Sequence, residues 1–276
     1  MSADRGTFDV ALCQYEFGGC ESVEALGRRV ERLFDRAGEA DCYVLPELFA
    51  SDCLPADGDL STLDPSQRTA LHRALADAAD DREAVVVGGS YNVTENGSVY
   101  NRCPVAVPGE PVETYDKSRL IPEERTAGKR AGDARPPVVE HRGVGVGVAV
   151  CYDVEFPELV RDLADRGAEV VAVPSWTASE AGFQRVRRCS AARAVENQLY
   201  VAQVSVVGER SADLRGTGRS AVFAPCDDVV GAGGTRLSLP RDERAAATCS
   251  VDVDAVRRSR ADASVRPYTD ARRGEE

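Results

Sequence analysis

The chain has 276 residues, 43% of them apolar, and a net charge of −12. That length suits one large α/β domain, and the excess of Asp and Glu opposes binding to nucleic acid or to an anionic membrane surface. No apolar run approaches the roughly 18 residues needed to cross a bilayer. The opening MSADRG lacks a basic stretch followed by an apolar one, so the sequence reads as that of a soluble, cytoplasmic protein. The nine cysteines are scattered and form no C-x-x-C pair, so neither a structural zinc site nor a redox pair is indicated, and no metal or organic cofactor is expected. Lys117 and Lys129 are the only lysines among many arginines. An acid-rich, lysine-poor surface is the kind carried by proteins that work in concentrated salt.

Short apolar runs alternate with amphipathic ones, the signature of an α/β architecture. Residues 7–15 (TFDVALCQY) predict a first strand. Residues 22–37 predict a helix, with Val23, Leu26, Val30 and Leu33 at helical spacing. A second strand covers 41–45 and stops at Pro46. A helix over 65–80 turns Leu71, Leu75 and Ala78 inward and leaves His72 on the surface. Strands at 84–90, 99–107 and 112–115 form an antiparallel-looking set, with turns at Asn96-Gly97 and Pro108-Gly109. Residues 122–137 read as a loop and 138–151 as one strand. A helix at 156–166, a strand at 169–173 and a helix at 184–197 follow, then strands at 200–207, 218–224 and 247–253. The tail 257–276 is charged and lacks core periodicity. The whole chain, 1–276, reads as one domain.

The stretch VGVGVAVCYDVEFP (144–157) carries an apolar strand straight into Cys151, just before a helix start. A cysteine at such a turn lies near free backbone N–H groups, which favour thiolate and place a donor beside an oxyanion. A buried structural cysteine is the competing reading. A nucleophilic cysteine needs a base. His141 lies ten residues earlier in the chain, near the start of that region, which places it away from Cys151. Glu47 lies just past the strand DCYVL, and Lys117 just past another strand in YDKSRL. Strand ends are where open α/β sheets place their chemistry. A base, a cation and a thiol are thus set at three strand ends.

The segments LPELF (45–49), YDKSRL (115–120) and VCYDVEFPE (150–158), in that order, resemble the three catalytic segments of the nitrilase, or carbon–nitrogen hydrolase, superfamily. Pro174-Ser175-Trp176 and the run RAVENQ (193–198) extend the resemblance over residues 7 to 254. It implies a four-layer αββα sandwich, with Glu47 as general base, Lys117 as oxyanion stabiliser and Cys151 as nucleophile. It also implies a second glutamate about seven residues past the lysine; Glu124 has that spacing and Glu123 adjoins it. The Tyr152 N–H becomes the second oxyanion donor, and Trp176 and Ser175 become pocket residues. Asp153 fixes the turn, and Arg193 pairs with Glu196. Ser118-Arg119 stands where many relatives carry a histidine.

The implied reaction is hydrolysis of a small amide or N-carbamoyl compound. A nitrilase using the same residues, a catalytically silent binding subunit and a Cys–His hydrolase using His141 are the open alternatives. The substrate pocket depends on the loops at 51–59, 123–133 and 177–183. A homodimer or larger homo-oligomer is implied, with the tail 257–276 in its contacts and Val265, Pro267 and Tyr268 as anchors.

Overall fold

Side-chain alternation along the first strand sets the layering. In strand β1, Thr7–Gln14, Val10 and Leu12 enter one apolar cluster while Ala11 and Cys13 enter another. Opposite faces of one sheet therefore meet two separate cores. In this computed structural model, residues 6–54, 61–211 and 214–272 are described. The first sheet runs on through β2 (Cys42–Val44), β3 (Val85–Val87), β4 (Tyr91–Glu95), β5 (Ser98–Ala106) and β6 (Glu113–Asp116). The second holds β7 (Val138–His141), β8 (Val144–Val148), β9 (Ala168–Ser175) and β10 (Tyr200–Ser205). Strands β11 (Val207–Ser211) and β12 (Leu214–Thr217) form a separate ribbon. Strands β13 (Ala221–Phe223) and β14 (Thr235–Ser238) extend the second sheet, and β15 (Ala245–Asp252) returns to pair with β1.

Helices α1 (Val23–Ala37) and α2 (Pro65–Arg82) cover the first sheet. Ser22 caps α1, and an Asp64–Gln67 capping box with Pro65 starts α2. Leu26, Val30, Leu33, Leu71, Leu75 and Ala78 are buried at the interface that the helical spacing predicts. On the far side of the molecule, α4 (Pro157–Asp165) and α5 (Glu180–Asn197) cover the second sheet. The result is the four-layer αββα sandwich. Between α2 and α4 lies α3 (Pro122–Thr126), and the chain ends in α6 (Val253–Asp262) and α7 (Pro267–Asp270).

Several expectations need correction. Residues 138–148 are not one strand but a β7–β8 hairpin, turned at Arg142 and Gly143 with φ of 52° and 75°. The same paired positive φ forms the expected turn at Asn96-Gly97, where β4, absent from the sequence reading, folds back on β5. The loop expected at 122–137 opens with α3, because Pro122 at the first helical position and two glutamates in the first turn start a helix. The tail is better packed than its charge indicates. Tyr268 is buried, with the guanidiniums of Arg260, Arg272 and Arg161 over its ring at 4.3, 4.4 and 5.2 Å, while Val265 is exposed. Cations over one aromatic ring leave no apolar periodicity to read. His72 is half-buried, with Nε2 2.7 Å from the Tyr91 hydroxyl. Residues 1–5 of the opening segment, 55–59 of the first pocket loop and 273–276 of the tail lie outside the described residues.

Parallel strands β2 and β3 end on the same side of their sheet. Strand β6 is antiparallel to β5, which is antiparallel to β3, so β6 ends on that side too. Gly89 holds the loop after β2 in place: at φ +57°, a Cβ there would sit 2.1 Å from the Pro46 carbonyl oxygen. Gly89→Ala is expected to destabilise the fold by about 1–3 kcal/mol through backbone strain and overpacking. Denaturant unfolding checks this, and an unchanged midpoint would show that the loop is not tightly packed there.

Candidate active site

Three strand ends deliver Glu47, Lys117 and Cys151 to one buried point. Glu47 follows β2 in a turn where Leu48 adopts φ 53° and its N–H donates to Ser90 Oγ at 2.8 Å. Lys117 follows β6, and its backbone N–H donates to the Asn101 carbonyl at 2.9 Å. Cys151 follows β8 with φ 50°, at the head of a single 3-10 turn, Cys151–Glu155. A non-glycine residue held at positive φ is strained, and such strain collects at functional turns.

Side chains meet there over hydrogen-bonding distances. Lys117 Nζ donates to Glu47 Oε1 and to Glu124 Oε2, both at 2.8 Å. Glu47 Oε2 accepts the Trp176 N–H at 2.9 Å, and the Cys151 thiol donates to the Trp176 carbonyl at 3.7 Å. Glu124, not its neighbour Glu123, is the buried glutamate of α3. Its Oε2 also accepts the Ile121 N–H at 3.2 Å, and Lys129 Nζ stands 3.6 Å from its Oε1. Burial by itself would lower the Lys117 ammonium, but Glu47 and Glu124 outweigh it and hold the group well above its ordinary value. Burial opposes ionisation of Glu124 too, yet Lys117 and Lys129 bring its carboxyl below the usual range.

The thiol behaves differently from the sequence expectation. Burial raises Cys151 well above its ordinary value and the Glu47 carboxylate adds to the rise, while Lys117 offsets only part of it. Both effects favour the neutral thiol over the thiolate that the turn alone would promote. The N–H groups of the turn do not reverse this, since that of Val150 is taken by Asp153 Oδ2 at 3.0 Å. The N–H groups of Cys151 and Tyr152, at the head of the turn, donate to no group among the described residues.

Asp153 and Arg193 brace this turn. Asp153 Oδ2 also accepts the Tyr115 hydroxyl at 3.0 Å, and its Oδ1 accepts the Arg119 N–H at 2.8 Å, tying the lysine loop to the cysteine loop. Burial pushes the Asp153 carboxyl up to about 6 despite Lys117 and these donors. Arg193 donates to the carbonyls of Val154 and Glu155 at 2.9 and 3.2 Å and pairs with Glu196 at 2.7 Å. Trp176 is half-buried and packs on Phe17 with ring centroids 5.0 Å apart. Ser175 differs from its expected role: it is fully buried and its hydroxyl donates to the Val173 carbonyl, so it braces the end of β9. Tyr152 stacks edge-on to Phe156 and lines a cavity of about 720 Å³ whose wall includes Arg119, Arg125, Lys129 and Arg130. His141, bonded to the Glu83 carbonyl at 3.0 Å, lies at the hairpin end of β8 away from Cys151, so the Cys–His arrangement is absent.

Two residues of this cluster escape sequence reading, Asn101 and Lys129. Asn101 is fully buried and donates to Glu47 Oε1 at 2.9 Å and to Glu124 Oε1 at 3.3 Å. The available signal was an amide sharing its strand face with Cys103 and Val105, where a polar group needs a partner. For Lys129 it was rarity, as one of two lysines in the chain.

This chain belongs to the carbon–nitrogen hydrolase family, whose model matches residues 9–258. It is 31% identical over 283 residues to "Probable hydrolase YhcX" of Bacillus subtilis (strain 168), an alignment covering 98% of this chain but only 55% of that longer protein. It is 34% identical over 205 residues to an (R)-stereoselective amidase of Pseudomonas sp, covering 74% of this chain and 73% of that one. Among solved structures, a mutant of the Nesterenkonia AN1 amidase from the nitrilase superfamily superposes with a TM-score of 0.76 at 28% identity, over 98% of this chain and 96% of that one. A second mutant of that amidase, at 26% identity, TM-score 0.73 and the same two coverages, shows covalent addition of the acetamide moiety of fluoroacetamide at its active site cysteine.

A neutral resting thiol has a direct signature. At neutral pH the ultraviolet thiolate absorbance of the native protein should equal that of Cys151→Ala. A difference amounting to one thiolate would contradict the neutral resting state.

Proposed function

We propose that the protein hydrolyses a small amide or N-carbamoyl compound through a thioester on Cys151. The observation that carries this reading is the convergence of Glu47, Lys117 and Cys151 on one buried point, with Lys117 Nζ 2.8 Å from Glu47. As the Cys151 sulfur bonds to the substrate carbonyl carbon, its proton passes to Glu47. The carbonyl oxygen takes the electron pair as an oxyanion, held by the Lys117 ammonium and the Tyr152 N–H. The carbon–nitrogen bond then breaks, and Glu47 returns the proton to the leaving ammonia or amine. Water gives a proton to the same glutamate, attacks the thioester and releases the acid, and the proton returns to the sulfur.

The neutral resting thiol fits this sequence, because a base is needed only where the thiol is not already ionised. The amidase relatives support an amide over a nitrile. The basic wall of the cavity beside Tyr152 favours an amide bearing a carboxylate over a cationic one.

Ammonia release from acidic, neutral and cationic amides, N-carbamoyl compounds and nitriles, assayed in low and in molar salt, tests the proposal. One amide or carbamoyl class should be cleaved by the native protein and not by Cys151→Ala. Lys117→Ala should lower kcat by about 100- to 1000-fold, as loss of an oxyanion donor does. Full activity in Cys151→Ala would overturn the assignment, and release from nitriles alone would replace the amide with a nitrile.

A further inference from the structure

We propose that Asn101 is a positioning residue for the general base, holding the Glu47 and Glu124 carboxylates at a fixed separation around Lys117. This rests on the reading of Glu47 as base, and it adds a residue that the three catalytic segments do not contain.

Asn101 lies on β5, within the first sheet, and is fully buried. Its amide nitrogen has two hydrogens. One points to Glu47 Oε1 at 2.9 Å and the other to Glu124 Oε1 at 3.3 Å. Lys117 Nζ spans the same two glutamates at 2.8 Å each. The carboxylates are thus bridged twice, once by a charged donor and once by a neutral one, in a closed ring. The Asn101 carbonyl accepts the Lys117 backbone N–H at 2.9 Å, so one residue registers all three charged partners. The amide has a single workable orientation, because the flipped one would set its oxygen against two carboxylates. In the observed orientation Oδ1 is buried and accepts no hydrogen bond among the described residues. An unmade bond on a buried acceptor is costly, which indicates that the two donor bonds are what the position is kept for.

The neutral bridge matters because the charged one changes its duty during the reaction. When the oxyanion forms, Lys117 turns part of its bonding capacity from Glu47 to the substrate oxygen. Asn101 carries no charge to redirect, so it keeps Glu47 aimed at the sulfur and the leaving nitrogen through each proton transfer. Hydrogen bonds donated to a carboxylate favour its ionised form, so loss of both Asn101 donors predicts an acidic limb of the rate profile at higher pH.

The test uses the full chain with the amide identified by ammonia release. Asn101→Leu keeps the volume and removes both donors. It should lower kcat by about 10- to 100-fold, the usual effect of losing a hydrogen bond to a charged group, with KM within about twofold. The acidic limb of kcat/KM should move to higher pH. Asn101→Ser restores one donor and should recover part of kcat and part of the limb position. An acidic limb that superposes on that of the native protein in both variants overturns the proposal, as does a loss of kcat that only follows the folded fraction measured by circular dichroism. If Asn101→Leu does not fold, Asn101→Ser carries the test alone, with a smaller shift of the same sign expected and no shift overturning it. Cys151→Ala in the same assay separates the two readings. Its activity would remove the catalytic assignment itself, whereas native activity that depends on Cys151, with unshifted limbs, removes only the role of Asn101.

Discussion

The site depends on one buried ammonium. Lys117 is almost inaccessible to water and lies 2.8 Å from each of two carboxylates, Glu47 and Glu124. Charges removed from water cost several kcal/mol each unless they are paired and hydrogen-bonded. Lys129, 3.6 Å from Glu124, completes a balance of two ammoniums against two carboxylates. The chain's only two lysines are both spent here. A thiolate at Cys151 would add a negative charge beside Glu47 in a site closed to water, and burial first and Glu47 second favour the protonated thiol. The proposed reaction preserves the balance. As the thiol proton neutralises Glu47, the new negative charge appears on the substrate oxygen, still beside Lys117.

That balance requires side chains from distant parts of the chain to meet with little freedom. The sandwich supplies this by ending β2, β6 and β8 at one place and by spending backbone groups to hold each end. Asp153 joins the lysine and cysteine loops through four donors, and Arg193 reaches from α5 to the carbonyls of the turn. The Trp176 N–H fixes one oxygen of Glu47, and its carbonyl faces the sulfur. Residues 45–49, 115–120, 150–158 and 174–176 thus act together through backbone contacts as much as through side chains.

Much of this was legible in the sequence because it is local. The Leu26–Val30–Leu33 spacing and the apolar strands before Glu47 and Cys151 each carry their own signal. What was not legible depends on partners far along the chain. The tail was underestimated because Tyr268 is anchored by arginines. The 138–148 hairpin was missed because its turn holds Arg142, a residue that seldom adopts positive φ. Asn101 and the state of the thiol were hidden for the same reason. The partners of Asn101 lie 54 and 23 residues away, and the Cys151 proton is governed by burial and by a glutamate more than a hundred residues earlier. A motif can name a nucleophile, but its ionisation belongs to the fold.

The central claim is that Cys151 carries the acyl group covalently during turnover. Rapid acid quench of the protein with its amide, followed by digestion and mass spectrometry, tests it most directly. The account predicts a mass increase equal to the acyl group on the peptide containing Cys151, formed as ammonia appears and lost as the acid is released. Steady ammonia release with that peptide unmodified at every time point would contradict it.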